Sequence, residues 1–290
     1  MDVCDVAGSG GIVGDRRSLG HLDGVSAGWA GLARCMEQLN SSETVSELRL
    51  EQVSVVSHLG HTRLLDRISF AVDRPGCKIG IVGASGAGKT TLLRLLNRLA
   101  EPSEGQIFWR GQPLSHYPVP SLRQQVMLVP QEPQLLGMTV EQALAYPLQL
   151  QGFPPAEVAA RIERWEQRLD IPEEWRSRSA LELSAGQRQW VSLARGFVAQ
   201  PQLLLLDEPA SSLDPGKTEL LIRVLGQIGG TVAIVSHQLA MIQKLCDRIL
   251  WIDRGQLRQD KTRLEMDWEE VQSVLSKKSA AAVSDWNDFD

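Results

Sequence analysis

Short apolar runs recur through the middle of the chain, and each is bounded by polar residues, glycine or proline. The clearest are Ile79–Val82, Val126–Val129, Leu203–Leu206 and Val232–Val235. Continuous apolar runs suit strands that are covered on both faces, as in a parallel sheet flanked by helices. A further run, Ile249–Ile252, predicts one more strand.

Other patterns of apolar and polar residues occur before and between these runs. Apolar and polar residues alternate from Leu48 onwards and again over Ile68–Val72, which predicts two strands of a second kind. A predicted helix begins at a proline pair and has one apolar face, formed by Val158, Ile162, Trp165 and Leu169. The stretch 132–182 is predicted to be a helical and loop-containing insert within the sheet pattern.

Composition limits the classes of function. The chain has 290 residues, 43% of them apolar, and a formal net charge of −5 at pH 7. This acidic balance gives no electrostatic reason to expect a nucleic-acid partner. The scattered cysteines predict free thiols in a reducing compartment. No apolar stretch approaches the ~18 residues that span a bilayer, and the amino terminus lacks the pattern of a signal peptide. We therefore expect a cytoplasmic protein.

The segment Gly83–Thr90 matches the phosphate-loop pattern G-x-x-x-x-G-K-[ST]. It follows the strand Ile79–Val82 and precedes a leucine-rich helix, Thr91–Leu99, so a chance match in a glycine-containing turn is disfavoured. Glycines let backbone N–H groups curl around phosphate oxygens, and the amino end of the helix adds a favourable dipole. Lys89 would reach the β- and γ-phosphates of a nucleotide, and the Thr90 hydroxyl would bind Mg²⁺.

Two carboxylates follow the apolar run Leu203–Leu206. Asp207 and Glu208 come at the carboxyl end of that predicted strand, where open α/β sheets place their ligands. Asp207 is suited to hold Mg²⁺ through water, and Glu208 is suited to polarise the attacking water as a general base. Acidic residues after a strand are ordinary in loops, but their pairing with a phosphate loop indicates nucleotide hydrolysis.

The segment Leu183-Ser184-Ala185-Gly186-Gln187 resembles the LSGGQ signature of ABC ATPases. Other elements of that family occur in the family's order. Gln131 matches the Q-loop glutamine, Ser211–Asp214 matches the D-loop, and His237 matches the switch histidine. The resemblance covers roughly residues 48–258.

The resemblance implies the ABC ATPase fold, which is an α/β fold. It consists of a P-loop NTPase core with a parallel sheet, an antiparallel β subdomain and a small helical subdomain. We expect this domain over residues 46–258, with the helical subdomain at about 132–182, then a C-terminal helix over 259–278 and a flexible acidic tail over 279–290. Residues 1–45 are expected to be a disordered or mis-annotated N-terminal extension. The glycine-rich stretch 1–35 precedes Met36, which is a candidate for the true start of translation.

The resemblance also implies roles for the site residues. The catalytic residues would be Glu208, His237 and Gln131, and Mg²⁺ would be held through Thr90, Gln131 and Asp207. The residues expected to contact ATP are Gly83, Ala84, Ser85, Gly86, Ala87, Gly88, Lys89, Thr90, Thr91, Ser184, Gly186, Gln187, Asp214 and His58. In the family, the helix after Ser184 points at the γ-phosphate bound by the opposite subunit, so two copies of the chain would pack head to tail around two ATP molecules.

A transmembrane permease is the other partner that the resemblance implies. The chain would then lie on the inner face of the plasma membrane through that permease. Its coupling helix would dock around Glu132, Leu135, Leu136 and Met138, unless these residues are simply core. The sequence does not indicate the substrate, because selectivity would reside in the permease, and it leaves import versus export open.

Two positions depart from the family pattern. Ala185 replaces the first glycine of the signature; an alanine should fit at the start of a helix, so we expect activity to be retained. The tyrosine that usually stacks on adenine is missing, and His58 is the nearest candidate. An exposed loop histidine is the alternative at that position.

Within the family, the sequence looks most like the compact iron-export-like and phosphate-import-like ATPases, with a slight preference for the metal-export-like group. A soluble ABC ATPase of iron–sulfur cluster assembly is an alternative that the residues leave open. A DNA-repair or translation ABC protein would need two cassettes, a long coiled coil or a zinc insert, and the sequence contains none of these.

Overall fold

Two sheets and eight helices make up the described part of the chain. The computed structural model describes residues 46–57 and 62–276, so the expectations for residues 1–45 and 277–290 and for His58 lie outside the described residues. The strands are β1 (Leu48–Val56), β2 (Arg63–Val72), β3 (Lys78–Val82), β4 (Glu104–Trp109), β5 (Gln112–Pro113), β6 (Val126–Val129), β7 (Leu203–Asp207), β8 (Thr231–Val235), β9 (Arg248–Asp253) and β10 (Gln256–Thr262). The helices are α1 (Lys89–Leu96), α2 (Val119–Gln125), α3 (Val140–Leu150), α4 (Pro155–Arg168), α5 (Ala185–Ala199), α6 (Pro215–Gly226), α7 (Leu239–Leu245) and α8 (268–276).

The larger sheet has the strand order β10-β9-β3-β8-β7-β6. Its strands run parallel from β9 through to β6, and only β10 is antiparallel to its neighbour. Every residue of β3, β7 and β8 is buried, because helices cover both faces of the sheet. The parallel sheet predicted from the apolar runs is therefore confirmed, and the carboxyl ends of these strands share one edge.

The smaller sheet is antiparallel, with the order β2-β1-β4-β5. β1 and β2 are the strands predicted from alternation, and they pair from Leu48 opposite Val72 to Val56 opposite Arg63. The inward residues of this sheet pack with α1 in one apolar core. β2 thereby brings Leu64 and Leu65 beside the phosphate loop.

Between β6 and β7 the described chain is helical. Thr139 caps α3 in a reciprocal arrangement with Gln142, and α4 begins after Pro154 as its proline pair predicts. The predicted apolar face of α4 is buried. None of the helices in the described part of the chain combines the length and apolar character needed to cross a membrane.

Two expectations need correction. The predicted helix over 259–278 is wrong at its start, because residues 259–262 belong to β10, which folds back antiparallel on β9. α8 begins only at residue 268, where the Asp267 carboxylate accepts a hydrogen bond from the Glu270 N–H (2.9 Å). In the expected docking surface, Leu135 is buried in the core, whereas Leu136 is exposed.

One ion pair in the helical region gives a test of the packing. The Arg176 guanidinium donates to both carboxylate oxygens of Glu166, the shortest contact being 2.6 Å, and the two side chains are 37% and 5% exposed. Because Arg176→Met would leave the Glu166 carboxylate buried without its partner, we expect a loss of about 2 kcal/mol in the free energy of unfolding. This is less than the ~3–5 kcal/mol of a fully buried pair, since Arg176 is partly solvated.

Urea denaturation measures this loss. The double variant Glu166→Leu/Arg176→Met should recover most of it, because it removes both charges. Lys244→Met, which breaks the exposed pair with Glu219, is the matched control and should change stability by less than about 1 kcal/mol. Equal effects of the two Met substitutions would contradict the prediction.

Candidate active site

A cleft of about 500 Å³ lies at the carboxyl ends of β3, β7 and β8. The sequence-predicted residues that line it are Ser85, Gly86, Ala87, Gly88, Lys89, Thr90, Thr91, Gln131, Asp207, Glu208 and His237. A larger cleft, of about 690 Å³, lies near the amino ends of β3 and β9 and contains none of the predicted residues. The chemistry therefore belongs to the smaller cleft, because open α/β sheets bind ligands at the carboxyl ends of their strands.

Close backbone packing fixes the phosphate loop between the two sheets. A Cβ atom placed on Gly88, which has φ 101°, would lie 2.6 Å from the carbonyl oxygen of Leu64 in β2. A Cβ atom on Gly83 would lie 2.2 Å from the carbonyl oxygen of Ile252 in β9. The Gly255 N–H donates to the Ala87 carbonyl (3.1 Å) and so ties the loop to the β9–β10 turn. Only glycine fits at Gly83 and Gly88.

Lys89 places a buried positive charge inside this loop. The side chain is 6% exposed, and its Nζ donates to the carbonyl oxygens of Gly83 and Ala84, both at 2.8 Å. Burial lowers the pKa of the Lys89 ammonium, while the negative charges of Glu208 and Asp207 oppose that shift. A cation held in this way, beside the amino end of α1, attracts a phosphate group.

Asp207 and Glu208 end β7 with two buried carboxylates. Glu208 has φ 48°, a left-handed conformation that costs a residue with a side chain about 1–2 kcal/mol. Its N–H donates to the Val235 carbonyl (2.9 Å), and its Oε2 accepts from the His237 N–H (3.1 Å). Burial raises the pKa of the Glu208 carboxyl, and the contacts with His237 and the charge of Lys89 oppose that rise.

His237 also approaches the carboxylate with its ring, since its Nε2 lies 3.2 Å from Glu208 Oε1. The His237 N–H thus forms a hydrogen bond with one oxygen of the carboxylate, and its imidazole lies close to the other, which accepts no hydrogen bond from any described residue. This arrangement fixes the direction in which Glu208 faces the cleft. It is the geometry expected of a general base with an orienting partner.

The residues present fit a magnesium nucleotide. Asp207 Oδ1 is buried and accepts no hydrogen bond from any described residue, so a metal-bound water would satisfy it. No three His, Cys, Asp or Glu side chains of the described residues cluster as a metal site of their own. Mg²⁺ is typically bound by one or two carboxylates together with substrate phosphates. Thr90 and Gln131 line the same cleft and would complete such a set.

The signature residues lie outside this cleft. Ser184 caps α5: its Oγ accepts from the Gln187 N–H (3.2 Å), while the Gln187 Oε1 accepts from the Ser184 N–H (2.8 Å). Ala185 is the first residue of α5 and has no positive φ, so its expected fit at a helix start is confirmed. Asp214 caps α6 through the Lys217 N–H (2.9 Å) and does not line the cleft.

Gly186 brings the signature helix against the D-loop of the same chain. A Cβ atom on Gly186 would lie 2.7 Å from the carbonyl oxygen of Ser212. Ser211, the first residue of the predicted D-loop, also lines the cleft, and sequence reasoning missed three further lining residues, which are Leu64, Val235 and Gln238. Leu64 reaches it from the other sheet, and Gln238 follows the predicted His237, so only the three-dimensional arrangement identifies them.

The fold and this site define a P-loop nucleotide-binding domain. The sequence matches the ABC transporter family over residues 65–211. The methionine import ATP-binding protein MetN of Xanthomonas axonopodis pv. citri (strain 306) is 38% identical over 191 residues, which are 63% of this chain and 57% of that protein. MetN of Caulobacter vibrioides (strain ATCC 19089 / CIP 103742 / CB 15) is 35% identical over 218 residues, 72% of this chain and 65% of that protein.

Solved structures of ABC proteins have the same fold. CbiO1 from Clostridium perfringens, described as part of the ABC transporter complex cbiONQ, superposes with a TM-score of 0.67 at 27% identity and covers 78% of this chain and 92% of its own. The dimeric, post-hydrolysis ATP-binding cassette MJ0796 with ADP and Pi gives a TM-score of 0.68 at 22% identity, covering 74% and 98%.

The chain belongs to the ABC transporter family and has the ABC ATPase fold. It spans about 57% of the length of the first curated relatives that it matches. The finer resemblance to iron-export-like or phosphate-import-like ATPases finds no counterpart among the relatives described above, whose names refer to methionine import.

Gly88→Ala tests the phosphate loop. Its Cβ atom would collide with the Leu64 carbonyl and would strain a left-handed residue, so the loop must shift away from β2. We expect the affinity for Mg-ATP to fall at least about tenfold, which corresponds to about 1.4 kcal/mol. Titration with a fluorescent ATP analogue measures this change. Gly229→Ala meets no atom within 4 Å and should bind as the unsubstituted chain does; unchanged binding by Gly88→Ala would refute the assignment.

Proposed function

We propose that the chain binds Mg-ATP and hydrolyses it to power transport through a separate membrane permease. The observation that carries this proposal is the convergence, in one cleft, of the Lys89 loop, the two carboxylates that end β7, and His237. Ser184, which caps the signature helix, does not line that cleft. Because the signature residues and the cleft residues lie apart in one chain, we expect hydrolysis to take place between two copies of the chain.

Each residue has a defined task in this proposal. The backbone of the loop and Lys89 bind the β- and γ-phosphates. Thr90 and Asp207 would hold Mg²⁺, which, when bound, neutralises charge on the phosphates. Glu208 Oε1 or Oε2 accepts a proton from the attacking water, while His237 keeps the carboxylate in its orientation. Gln131, which lines the same cleft, would help to place the water.

The proposed partner at the phosphates is a second copy of the chain. Ser184 caps a fifteen-residue helix whose amino end carries partial positive charge. Within its own chain that end does not line the nucleotide cleft, so in this proposal it faces a nucleotide held by the other copy. The solved MJ0796 cassette is described as dimeric, which supports a head-to-tail pair. Because this chain retains Glu208 and Ser184, two identical copies suffice.

The proposed membrane partner docks beside the Q-loop. Leu136 is 64% exposed and has φ 55°, so an apolar side chain is presented to solvent from a left-handed turn. The Arg195 guanidinium donates to the Gln134 carbonyl (2.8 Å) and ties this loop to the signature helix. A permease bound at Leu136 would therefore contact a loop that is linked both to the cleft and to α5. The chain would lie on the inner face of the membrane through this contact.

The names of the relatives favour transport over the alternative in iron–sulfur cluster assembly. They describe methionine import, which makes an importer the better-supported direction. Co-purification separates the two classes: a polytopic membrane protein supports transport, and soluble assembly factors support the alternative.

Glu208→Gln tests the assignment of the base. The amide keeps the size of the side chain but cannot accept the proton of water, so we expect hydrolysis to fall at least about 100-fold while Mg-ATP still binds. The variant should accumulate as an ATP-bound dimer. Phosphate release and light scattering measure the two effects. Glu219→Gln, on the exposed side of α6, is the matched control and should hydrolyse ATP normally.

The two-copy arrangement would be contradicted if the chain hydrolysed ATP at full rate as a monomer and Ser184→Ala left that rate unchanged. Unchanged hydrolysis by Glu208→Gln would instead show that another group is the base. The two results are independent, because one concerns the opposite copy and the other the chain's own carboxylate.

Leu136→Asp tests the docking surface. Aspartate tolerates the left-handed conformation better than leucine does, so the fold should persist, while a charge would be buried against the permease. We expect the chain to lose co-purification with membrane protein from its native host. Leu264→Asp, at another exposed leucine, is the control and should leave co-purification intact. Equal retention by both variants would argue against docking at the Q-loop.

A further inference from the structure

The turn that follows Glu208 is held in place from two sides. Glu208 lies in the left-handed region, and its carbonyl accepts a hydrogen bond from the Ser211 N–H (3.2 Å). Between these residues, the carbonyls of Pro209 and Ala210 are each approached by a glutamine amide. The two glutamines, Gln189 and Gln238, come from different elements.

Gln189 lies on α5, one turn beyond Gly186, and is 1% exposed. Its Nε2 donates to the Pro209 carbonyl at 3.4 Å, while its Oε1 is buried and accepts no hydrogen bond from any described residue. A buried amide that is only half satisfied destabilises the fold relative to an apolar side chain of the same shape. Its position therefore calls for a role other than stability.

Gln238 forms a hydrogen bond with the next carbonyl of the turn, that of Ala210. It follows His237, and its Nε2 donates to the Ala210 carbonyl at 3.2 Å. Its own N–H donates to Ser236 Oγ at 3.1 Å, which fixes the backbone at the end of β8. The side chain is exposed and lines the nucleotide cleft.

We propose that Gln189 and Gln238 are positioning residues. Together they hold the turn after Glu208, and with it the carboxylate, at the distance from the attacking water that hydrolysis requires. This glutamine pair rests on the proposed function and deepens it. Neither side chain touches the reacting atoms in this role; each acts through the turn. A displacement of about 1 Å of a catalytic group can lower a rate about 100-fold, so modest freedom in the turn has a measurable cost.

The pair also connects the two halves of the proposed dimer. α5 carries Ser184 at the end that would face the nucleotide of the opposite copy, and Gln189 on the same helix contacts the turn of its own Glu208. Gln238 contacts that turn from the loop of His237. The position of the base thus depends on the signature helix and on the loop of His237 at the same time.

Methionine substitutions in the full-length purified chain test the pair. Methionine matches the length of glutamine but offers no N–H donor, so packing is retained while the contacts to Pro209 and Ala210 are lost. We expect Gln189→Met and Gln238→Met each to lower kcat about tenfold, with the KM for ATP within about twofold. The melting temperature of Gln189→Met should not fall, because an unpaired buried acceptor has been removed. Gln243→Met, on α7, is the control, since the Gln243 side chain makes no hydrogen bond within the described residues.

A double-mutant cycle shows whether the pair acts through the base. Adding either methionine to Glu208→Gln should cause no further loss of hydrolysis. Amide hydrogen exchange over residues 208–211 gives a readout without catalysis, and exchange there should accelerate in both methionine variants. If Gln189→Met does not fold, Gln238→Met decides, because its site is exposed.

Wild-type kcat and unchanged exchange in the methionine variants would overturn the pair and leave the proposed function standing. A loss of kcat that merely follows a lower melting temperature, or a rise in KM of the same size, would also overturn it. If the unsubstituted chain bound no Mg-ATP at all, the proposed function would fail. The amide exchange rates over residues 208–211 would then be the only test of whether Gln189 and Gln238 hold the turn.

Discussion

The burial of opposite charges at the carboxyl ends of β3 and β7, which flank β8 in the larger sheet, is the constraint on which the rest of the structure depends. Lys89 follows β3, and Asp207 and Glu208 end β7, so three charged groups lie where the sheet is otherwise apolar and covered on both faces. Groups of this kind are tolerated only when partners surround them. The Gly83 and Ala84 carbonyls accept hydrogen bonds from Lys89, and the His237 N–H donates to the Glu208 carboxylate.

The central sheet could be predicted from the sequence because its strands are buried on both faces and therefore read as uninterrupted apolar runs. β4 and β10 could not be predicted in this way. Polar residues fill β10, and its side chains alternate only between exposed and half-buried positions. Its place in the sheet comes from the turn at Gly255 and from pairing with β9, neither of which leaves an apolar period. The error over residues 259–262 has this cause.

In the candidate site, too, some residues could be predicted from the sequence and others could not. Motif spacing predicted the phosphate loop and the two carboxylates, because each follows a strand that the apolar pattern had already placed, and the family resemblance added His237 after the next strand. Leu64 and Gln238 could not be predicted, since they reach the cleft through the pairing of β2 and the path of the chain after His237. Residues that hold a site in position leave a weaker trace in a single sequence than residues that carry its chemistry.

Although Ser184 lies apart from the cleft, its helix contacts the segment that follows Glu208. α5 presents its capped end elsewhere, yet Gly186 packs against the Ser212 carbonyl and Gln189 against Pro209, so the helix touches the segment that carries the base along two of its turns. A group that contacts the amino end of α5 is therefore connected to the turn after Glu208 through Gly186 and the Gln189 side chain. The same rigid helix reaches the Gln134 carbonyl through Arg195. One helix therefore links Ser184, the turn after Glu208 and the loop beside the exposed Leu136.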